Sequence, residues 1–128
     1  MRRELVTAGG MPAPKGPYSP AIRAGGFVFV SGTGPLDPST GEPRLGPIED
    51  QVRLTLENVR AVLEAAGATL RDVVKTTVYL ADIDDFAAMN RVYANFFPAD
   101  PPARTTIQAA RLPLGIGVEI DAVAVAAQ

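Results

Sequence analysis

One arginine follows an unusually restricted stretch of backbone. In PPARTTIQ, which begins at residue 101, Pro101 and Pro102 precede Arg104, and an alternating run of β-type residues follows. Proline fixes its own φ and biases the residue before it toward extended backbone, so the arginine is presented from a stiff segment. A guanidinium placed in this way can bind a planar carboxylate through two parallel hydrogen bonds. We therefore consider Arg104 the leading candidate for binding an anionic ligand, with a surface or interface ion pair as the alternative.

Two further side chains could take part in proton or water chemistry. Glu119 lies in GVEID, a stretch otherwise suited to burial, where apolar neighbours tend to raise the pKa of a carboxyl and favour proton exchange near neutral pH. The alternative for Glu119 is an ion pair that stabilises an assembly. Tyr18, in GPYSP, either packs its ring against a loop or offers its phenol to a ligand.

The composition restricts the chemistry more sharply than these candidates do. The 128 residues contain no cysteine and no histidine, which excludes thiol nucleophiles, Ser–His pairs and zinc sites of the usual ligand types. An enzyme of this composition must use carboxylates, arginine, hydroxyls, backbone groups and water. The net charge of −2 provides no excess of positive charge, so we do not expect nucleic-acid binding.

Length and hydropathy predict a single domain over residues 1–128. No apolar run approaches the length of a membrane-spanning helix. The amino-terminal MRRELVTAGG has two arginines but no apolar segment after them, so we expect no secretory signal and a cytoplasmic location.

Two segments have the apolar spacing of amphipathic helices. Residues 48–66 place five apolar side chains on one face, namely Val52, Leu56, Val59, Leu63 and Ala66. A second helix, at about 85–97, follows aspartates that can cap its amino terminus, and its stripe consists of Phe86, Met89, Tyr93 and Phe97. Asn90 lies outside that stripe, which is typical of a solvated position.

Strands are predicted at 26–32, 73–80, 104–110 and 117–126, in the order β (one or two strands before residue 31), β, α, β, α, β, β. In the strand at 73–80 we expect Val74 to share a face with Thr76, Val78 and Leu80. The class is an α+β sandwich with two helices over one sheet.

The last two strands, joined by RLPLGI, are interpreted as a hairpin with Ala110 opposite Gly117. One face then suits a helical layer and carries Thr105, Ile107, Ala109, Val118, Ile120, Ala122 and Ala124. The other carries Arg104, Thr106 and Gln108 beside Glu119 and Asp121, with Val123 and Val125 further along. Such a mixture suits a subunit interface with a polar pocket.

Several stretches occur in the order and at the spacing of one known family. From about residue 15 to 126 the chain resembles the reactive intermediate deaminase A family (RidA or YjgF, also called endoribonuclease L-PSP). The motifs that carry this resemblance are GPYS, SGTGPLDPSTGE, KTTVYLADIDDFAAMNRVY and PAR.

The resemblance implies a chorismate-mutase-like α+β fold, in which two helices cover a mixed, mainly antiparallel sheet. It also implies a homotrimer with a central barrel-like core and pockets in clefts between neighbouring subunits. The implied activity is that of a 2-iminobutanoate/2-iminopropanoate deaminase. Such an enzyme hydrolyses reactive enamines and imines of the 2-aminoacrylate type to 2-keto acids and ammonia, without a cofactor or a metal.

Seven residues of this chain fall on site positions of the family. By resemblance, Arg104 would bind the substrate carboxylate, while Glu119 and Tyr18 would orient or activate the attacking water. The remaining four would bind substrate or shape the cleft: Ser31, Gly32, Asn90 and Thr106. Thr106 stands where the family often has cysteine, and LPLGIGVE replaces a commoner charged loop that ends in lysine. Asp121 has no matched role and is interpreted as structural.

Two other functions compete with the deaminase. An endoribonuclease is disfavoured by the acidic balance, the absence of histidine and the absence of a carboxylate cluster suited to metal-assisted cleavage. A non-catalytic trimer that binds small acids, or acts like a chaperone, would need the same arginine as the deaminase. Sequence alone does not separate that alternative from catalysis.

Overall fold

The computed structural model describes residues 2–7 and 9–126. Six strands and two α-helices alternate in the predicted order, with two strands before the one that begins at Phe27. Their bounds are β1 Arg3–Val6, β2 Ala21–Ala24, β3 Phe27–Thr33, α1 Ile48–Ala65, β4 Val73–Leu80, α2 Phe86–Phe96, β5 Ala103–Gln108 and β6 Val118–Val125. The predicted α+β class, with two helices on one sheet, is confirmed.

The strands form one mixed sheet in the order β1-β2-β3-β6-β4-β5. Among these described strands, neighbours pair antiparallel except β4 and β5, which pair in parallel. The parallel pair arises because α2 carries the chain from the end of β4 back to the start of β5, the connection that parallel strands require. β5 therefore forms one edge of the sheet.

The helix at 48–66 is confirmed to within one residue. Its stripe of Val52, Leu56, Val59 and Leu63 is at most 1% exposed. The helix ends at Ala65, and Gly67 follows with φ of +81°. Because a side chain is strained at that φ, glycine allows the chain to turn away toward β4.

The helical layer covers one face of the sheet. Along β6, Val118, Ile120, Ala122 and Ala124 are buried, as predicted. They pair in turn with four residues of β4, namely Leu80, Val78, Thr76 and Val73. The prediction for Val74 is wrong: Val74 is 45% exposed, whereas Val73 is buried. A register irregularity between Val73 and Lys75 inverts the alternation at the start of β4.

The predicted hairpin between the last two strands is also wrong. β5 pairs with one edge of β4 and β6 pairs with the other edge, so β4 lies between them. The connection 109–117, with a 3-10 turn at Pro113–Gly115, carries the chain across β4 instead of folding it back on itself. The connection is long enough to cross one strand, since neighbouring strands are about 4.8 Å apart.

This pairing reverses the predicted faces of β5. Arg104 and Thr106 pair with Thr76 and Val78, whose side chains face the helices, whereas Thr105 and Ile107 lie on the open face. Glu119 pairs with Tyr79 on that open face. The expectation that Arg104 shares a face with Glu119 is therefore wrong within one chain.

The open face mixes exposed apolar residues with polar and charged ones. Four apolar side chains on it are 42–47% exposed: Phe27, Phe29, Ile107 and Val125. Between them lies a polar group in which the Tyr79 hydroxyl donates a 3.1 Å hydrogen bond to Asp121. An exposed apolar face of this kind is typical of a protein–protein contact. No helix within residues 2–7 and 9–126 has both the length and the apolar character needed to cross a bilayer.

A buried hydrogen bond between sheet and helix gives the first testable prediction. The hydroxyls of Thr76 and Tyr93 are 2.7 Å apart, and both residues are at most 5% exposed. Tyr93→Phe leaves the Thr76 hydroxyl without this partner, so we expect it to lower the free energy of unfolding by about 1–3 kcal/mol. Adding Thr76→Val should recover most of that loss, because neither polar group then remains.

Urea denaturation measures these free energies. Tyr18→Phe serves as the matched control, because Tyr18 is half exposed and its loss of a hydroxyl should change little. Equal losses in Tyr93→Phe and in the double variant would contradict the assignment.

Candidate functional site

Arg104 lies at the edge strand of the sheet and beneath α2. Its Cζ is 4.7 Å from the ring centroid of Tyr93 and 5.5 Å from that of Phe86, and its Nη1 donates a weak hydrogen bond to the Met89 sulfur at 3.8 Å. The side chain is therefore held by the helix that follows β4. The restricted segment at Pro101 and Pro102 leads directly into β5, in which Arg104 is the second residue.

The guanidinium opens into a cleft of about 350 Å³. Its walls come from α2 and from the segment before β5, namely Asn90, Tyr93, Ala94, Phe97, Pro101, Pro102 and Arg104. Asn90 is half-buried here and is not a purely solvated residue. The structure thus brings together two of the predicted site residues, Arg104 and Asn90.

Arg104 lacks an internal ion pair in the part of the chain that the structure describes. The salt bridges found there join Arg44 to Asp37, Arg53 to Asp50 and Arg91 to Glu49, and no carboxylate comes within 4.0 Å of the Arg104 guanidinium. The alternative of an ion pair within the chain is therefore not supported. A half-buried cation with an open cleft beside it can bind an anion from solution.

Three other predicted residues line a second cleft. Tyr18, Ser31 and Gly32 surround a small cavity of about 50 Å³ with apolar walls from Pro12, Ala13, Pro14, Pro20, Leu36 and Val62. The Ser31 hydroxyl donates to the Ser19 carbonyl at 2.6 Å, so it fixes the loop that carries Tyr18. The Tyr18 ring is half exposed, and its hydroxyl accepts a bond from the Lys15 amide at 3.3 Å.

Glu119 adjoins this second cleft through Gly32. A Cβ atom added to Gly32 would lie 2.9 Å from the carboxyl carbon of Glu119, so the absence of a side chain makes room for the carboxylate. Burial raises the pKa of Glu119, and the negative charge of Asp121 raises it further. A carboxylate with a raised pKa accepts a proton from water more readily than an ordinary glutamate does.

The seven predicted site residues thus form two groups in one chain. Among the residues that the structure describes, none lines both the cleft of Arg104 and the cleft of Tyr18. β3 and β5 are separated by β6 and β4, which puts them about 14 Å apart across the sheet. Arg104 also faces the helices, whereas Glu119 faces the open side.

Comparison with known proteins settles the family. The family model described as endoribonuclease L-PSP matches residues 9–126. The chain belongs to this family, the RidA family.

Relatives and solved structures agree with that assignment. A RutC family protein of Pyrococcus horikoshii is 51% identical over 122 residues, which cover 95% of this chain and 97% of that protein. The chloroplastic Reactive Intermediate Deaminase A of Arabidopsis thaliana is 45% identical over 124 residues, or 97% of this chain and 66% of that protein. The crystal structure of E. coli TdcF with bound serine superposes with a TM-score of 0.91 at 41% identity, covering 97% and 99% of the two chains. The predicted RidA-type fold is confirmed.

Thr106 lies two residues beyond Arg104 in β5, at the position where the RidA family often has cysteine. Its hydroxyl oxygen is buried and has no hydrogen-bond partner among the described residues. It shares the helix-facing side of β5 with Arg104, so it belongs to the same group. Whether it contacts a ligand stays a prediction.

Sequence reasoning missed two buried polar residues of α1 that fix loops, and the first of them holds part of the wall of the second cleft. Asn58 is 2% exposed, and its amide donates to the carbonyls of Gly34 and Leu36 at 3.1 and 2.8 Å. Gln51 donates to the Gly46 carbonyl and accepts from the Gly117 amide. Both lie among apolar residues on the buried side of α1, and this unusual placement was the available signal.

The contact between Gly32 and Glu119 leads to a second prediction. Gly32→Ala should displace the carboxylate of Glu119. For the imine hydrolysis that the family resemblance predicts, with Glu119 in its predicted role, kcat should fall by roughly tenfold to a hundredfold, the effect of a shift of about 1 Å in a reacting group. Thermal unfolding should change little, because the displaced atoms are the flexible end of a side chain. Steady-state kinetics and calorimetry measure the two effects.

Gly9→Ala is the matched control, since no atom lies within 4 Å of a Cβ added there. An unaltered kcat in Gly32→Ala would show that the position of the Glu119 carboxylate does not matter for the reaction.

Proposed function

We propose that this chain is a hydrolytic deaminase that converts small 2-imino acids, and the enamines in equilibrium with them, to 2-keto acids and ammonia. The observation that carries the proposal is the Arg104 guanidinium, half-buried, open to a cleft and without a carboxylate partner among the described residues. A substrate carboxylate would complete its hydrogen bonding through the two parallel bonds that arginine favours. Membership of the RidA family and 45% identity to a protein named Reactive Intermediate Deaminase A support the same reaction class.

The chemistry asks little of the protein. The carbon of a protonated imine is already electrophilic, so water adds to it and a proton moves from oxygen to nitrogen. The tetrahedral intermediate then expels ammonia as its hydroxyl gives up its proton, which leaves the 2-keto acid and an ammonium ion. Holding the carboxylate and positioning one water supplies much of what catalysis needs. In this proposal Arg104 binds the carboxylate, Glu119 accepts the proton of the water, and the Tyr18 phenol helps to orient that water.

This role for Glu119 is supported by its surroundings. Burial and Asp121 raise its pKa, which brings the carboxyl closer to the range where it both accepts a proton from water and returns one to the leaving nitrogen. Histidine, the side chain that most often does this work, does not occur in the sequence. Glu119 is thus the best-placed proton acceptor in the second group of site residues.

The site is proposed to form between two subunits. A four-carbon imino acid extends only about 5 Å, and it cannot reach both Arg104 and Glu119 across the thickness and width of one sheet. A homotrimer in which the Arg104 cleft of one subunit meets the Tyr18 cleft of the next would bring the two groups together. The exposed apolar residues of the open face, Phe27, Phe29, Ile107 and Val125, support such an assembly, since they would be removed from water.

A trimer that binds small acids without catalysis is the second candidate. The related TdcF structure contains bound serine, and an amino acid in that protein is compatible with either binding or catalysis. The two candidates differ in one measurement: a binding protein would take up 2-ketobutyrate with saturation but would not accelerate imine hydrolysis. Ribonuclease activity is a weaker candidate, given the net charge of −2 and the absence of histidine.

Replacement of Arg104 gives the third prediction. Arg104→Ala should lose on the order of 2–5 kcal/mol of transition-state binding, at least about a thirtyfold drop in kcat/KM for a dehydratase-generated 2-imino acid. Arg104→Lys should be intermediate, since it keeps the charge without the two-pronged geometry. The assay follows 2-keto acid formation above the rate without protein.

Arg53→Ala is the control, because Arg53 is an exposed arginine of α1 that pairs with Asp50. If Arg104→Ala formed the 2-keto acid as fast as the unaltered protein, the proposed function would be wrong.

A further inference from the structure

The guanidinium of Arg104 rests on side chains that carry no charge. Three residues of α2 contact it, namely Phe86, Met89 and Tyr93. The Arg104 Cζ is 5.5 Å from the ring centroid of Phe86 and 4.7 Å from that of Tyr93, and the Nη1 is 3.8 Å from the Met89 sulfur. We call these three residues the neutral cradle. Burial raises the pKa of the Tyr93 phenol, so this member stays uncharged at neutral pH as well.

A neutral cradle differs in its consequences from an ion pair. The ring faces of Tyr93 and Phe86 attract a cation electrostatically and so offset part of its loss of hydration. The ring faces accept no strong hydrogen bond from the guanidinium, and the Met89 sulfur is only a weak acceptor. Most of the five N–H groups of Arg104 therefore remain available for a ligand. A carboxylate in the same place would hold Arg104 equally well, but it would compete with the carboxylate of a ligand.

One wall of the cradle is fixed and the other is at the surface. The Tyr93 hydroxyl is hydrogen-bonded to Thr76 at 2.7 Å, and its ring lies 4.7 Å from that of Phe97. Phe86, the first residue of α2, is 40% exposed. A substitution at position 86 can therefore alter the charge beside Arg104 without opening the core.

We infer that the neutral cradle is the positioning device for substrate binding: it holds the guanidinium in place while leaving its charge and its N–H groups free for a substrate carboxylate. Phe86, Met89 and Tyr93 are thereby positioning residues that act through Arg104. The inference rests on the proposed function and adds to it a requirement that the immediate surroundings of Arg104 be uncharged. A negative charge introduced into the cradle should act as an internal competitor of the substrate.

The test compares Phe86→Glu with Phe86→Gln, two side chains of nearly the same size that differ in charge. We expect Phe86→Glu to raise KM for the 2-imino acid, and Kd for 2-ketobutyrate by calorimetry, on the order of tenfold relative to Phe86→Gln, because an ion pair forms with Arg104. We expect kcat to be the same in both variants, since the water and its proton acceptor are untouched. A purely structural role for Phe86 would not produce this split.

Ile83→Glu and Ile83→Gln provide the matched control pair. Ile83 is 42% exposed and lies in the short turn before α2, so the same charge is added nearby but outside the cradle. This pair should differ by less than about twofold, as expected for an exposed and screened charge. Circular dichroism and thermal unfolding establish that all four variants are folded.

Three outcomes decide the inference. A higher KM in Phe86→Glu than in Phe86→Gln, with no such difference at position 83, supports it. Equal KM values in the two Phe86 variants overturn it even if Arg104→Ala is inactive, whereas an active Arg104→Ala overturns the proposed function itself.

If Phe86→Glu does not fold, Phe86→Leu replaces it: loss of the ring contact should raise KM about threefold, and an unchanged KM would overturn the inference.

Discussion

The parallel pairing of β5 with β4 is the constraint on which the site depends. Because side chains alternate across a strand, the register that places Arg104 beside Thr76 directs the guanidinium toward α2. The antiparallel pairing of β6 with the other edge of β4 directs Glu119 to the opposite face. One shared strand thus separates Arg104 from Glu119 within the chain, and for this reason the proposed site combines two subunits.

Within one chain the two groups have different electrostatic surroundings. The Arg104 guanidinium lies against neutral side chains, while burial and the negative charge of Asp121 raise the pKa of Glu119. In the proposed assembly the substrate carboxylate, and not Glu119, would be the partner of the guanidinium.

Sequence reasoning predicted the elements and the alternation well, but not which strands are neighbours. It correctly placed Arg104 and Thr106 on one face of β5, yet the choice of face depends on the partner strand, and a short connection suggested a hairpin. The bulge that buries Val73 instead of Val74 is a similar case, since it depends on pairing with β6. Tyr93 was predicted as a core residue, and it is one; its second contact, with Arg104, required the position of β5.

The central claim is that each site combines Arg104 of one subunit with Glu119 of a neighbour, and subunit mixing tests it most directly. Arg104→Ala and Glu119→Gln are each expected to be inactive as pure assemblies. When the two variants are dissociated, mixed in equal amounts and reassembled, about a quarter of the interfaces in a ring should regain both residues. The account predicts recovery of imine hydrolysis to about that fraction of the unaltered protein. A mixture that stays as inactive as its components would show that both residues must come from the same chain, and would contradict the account.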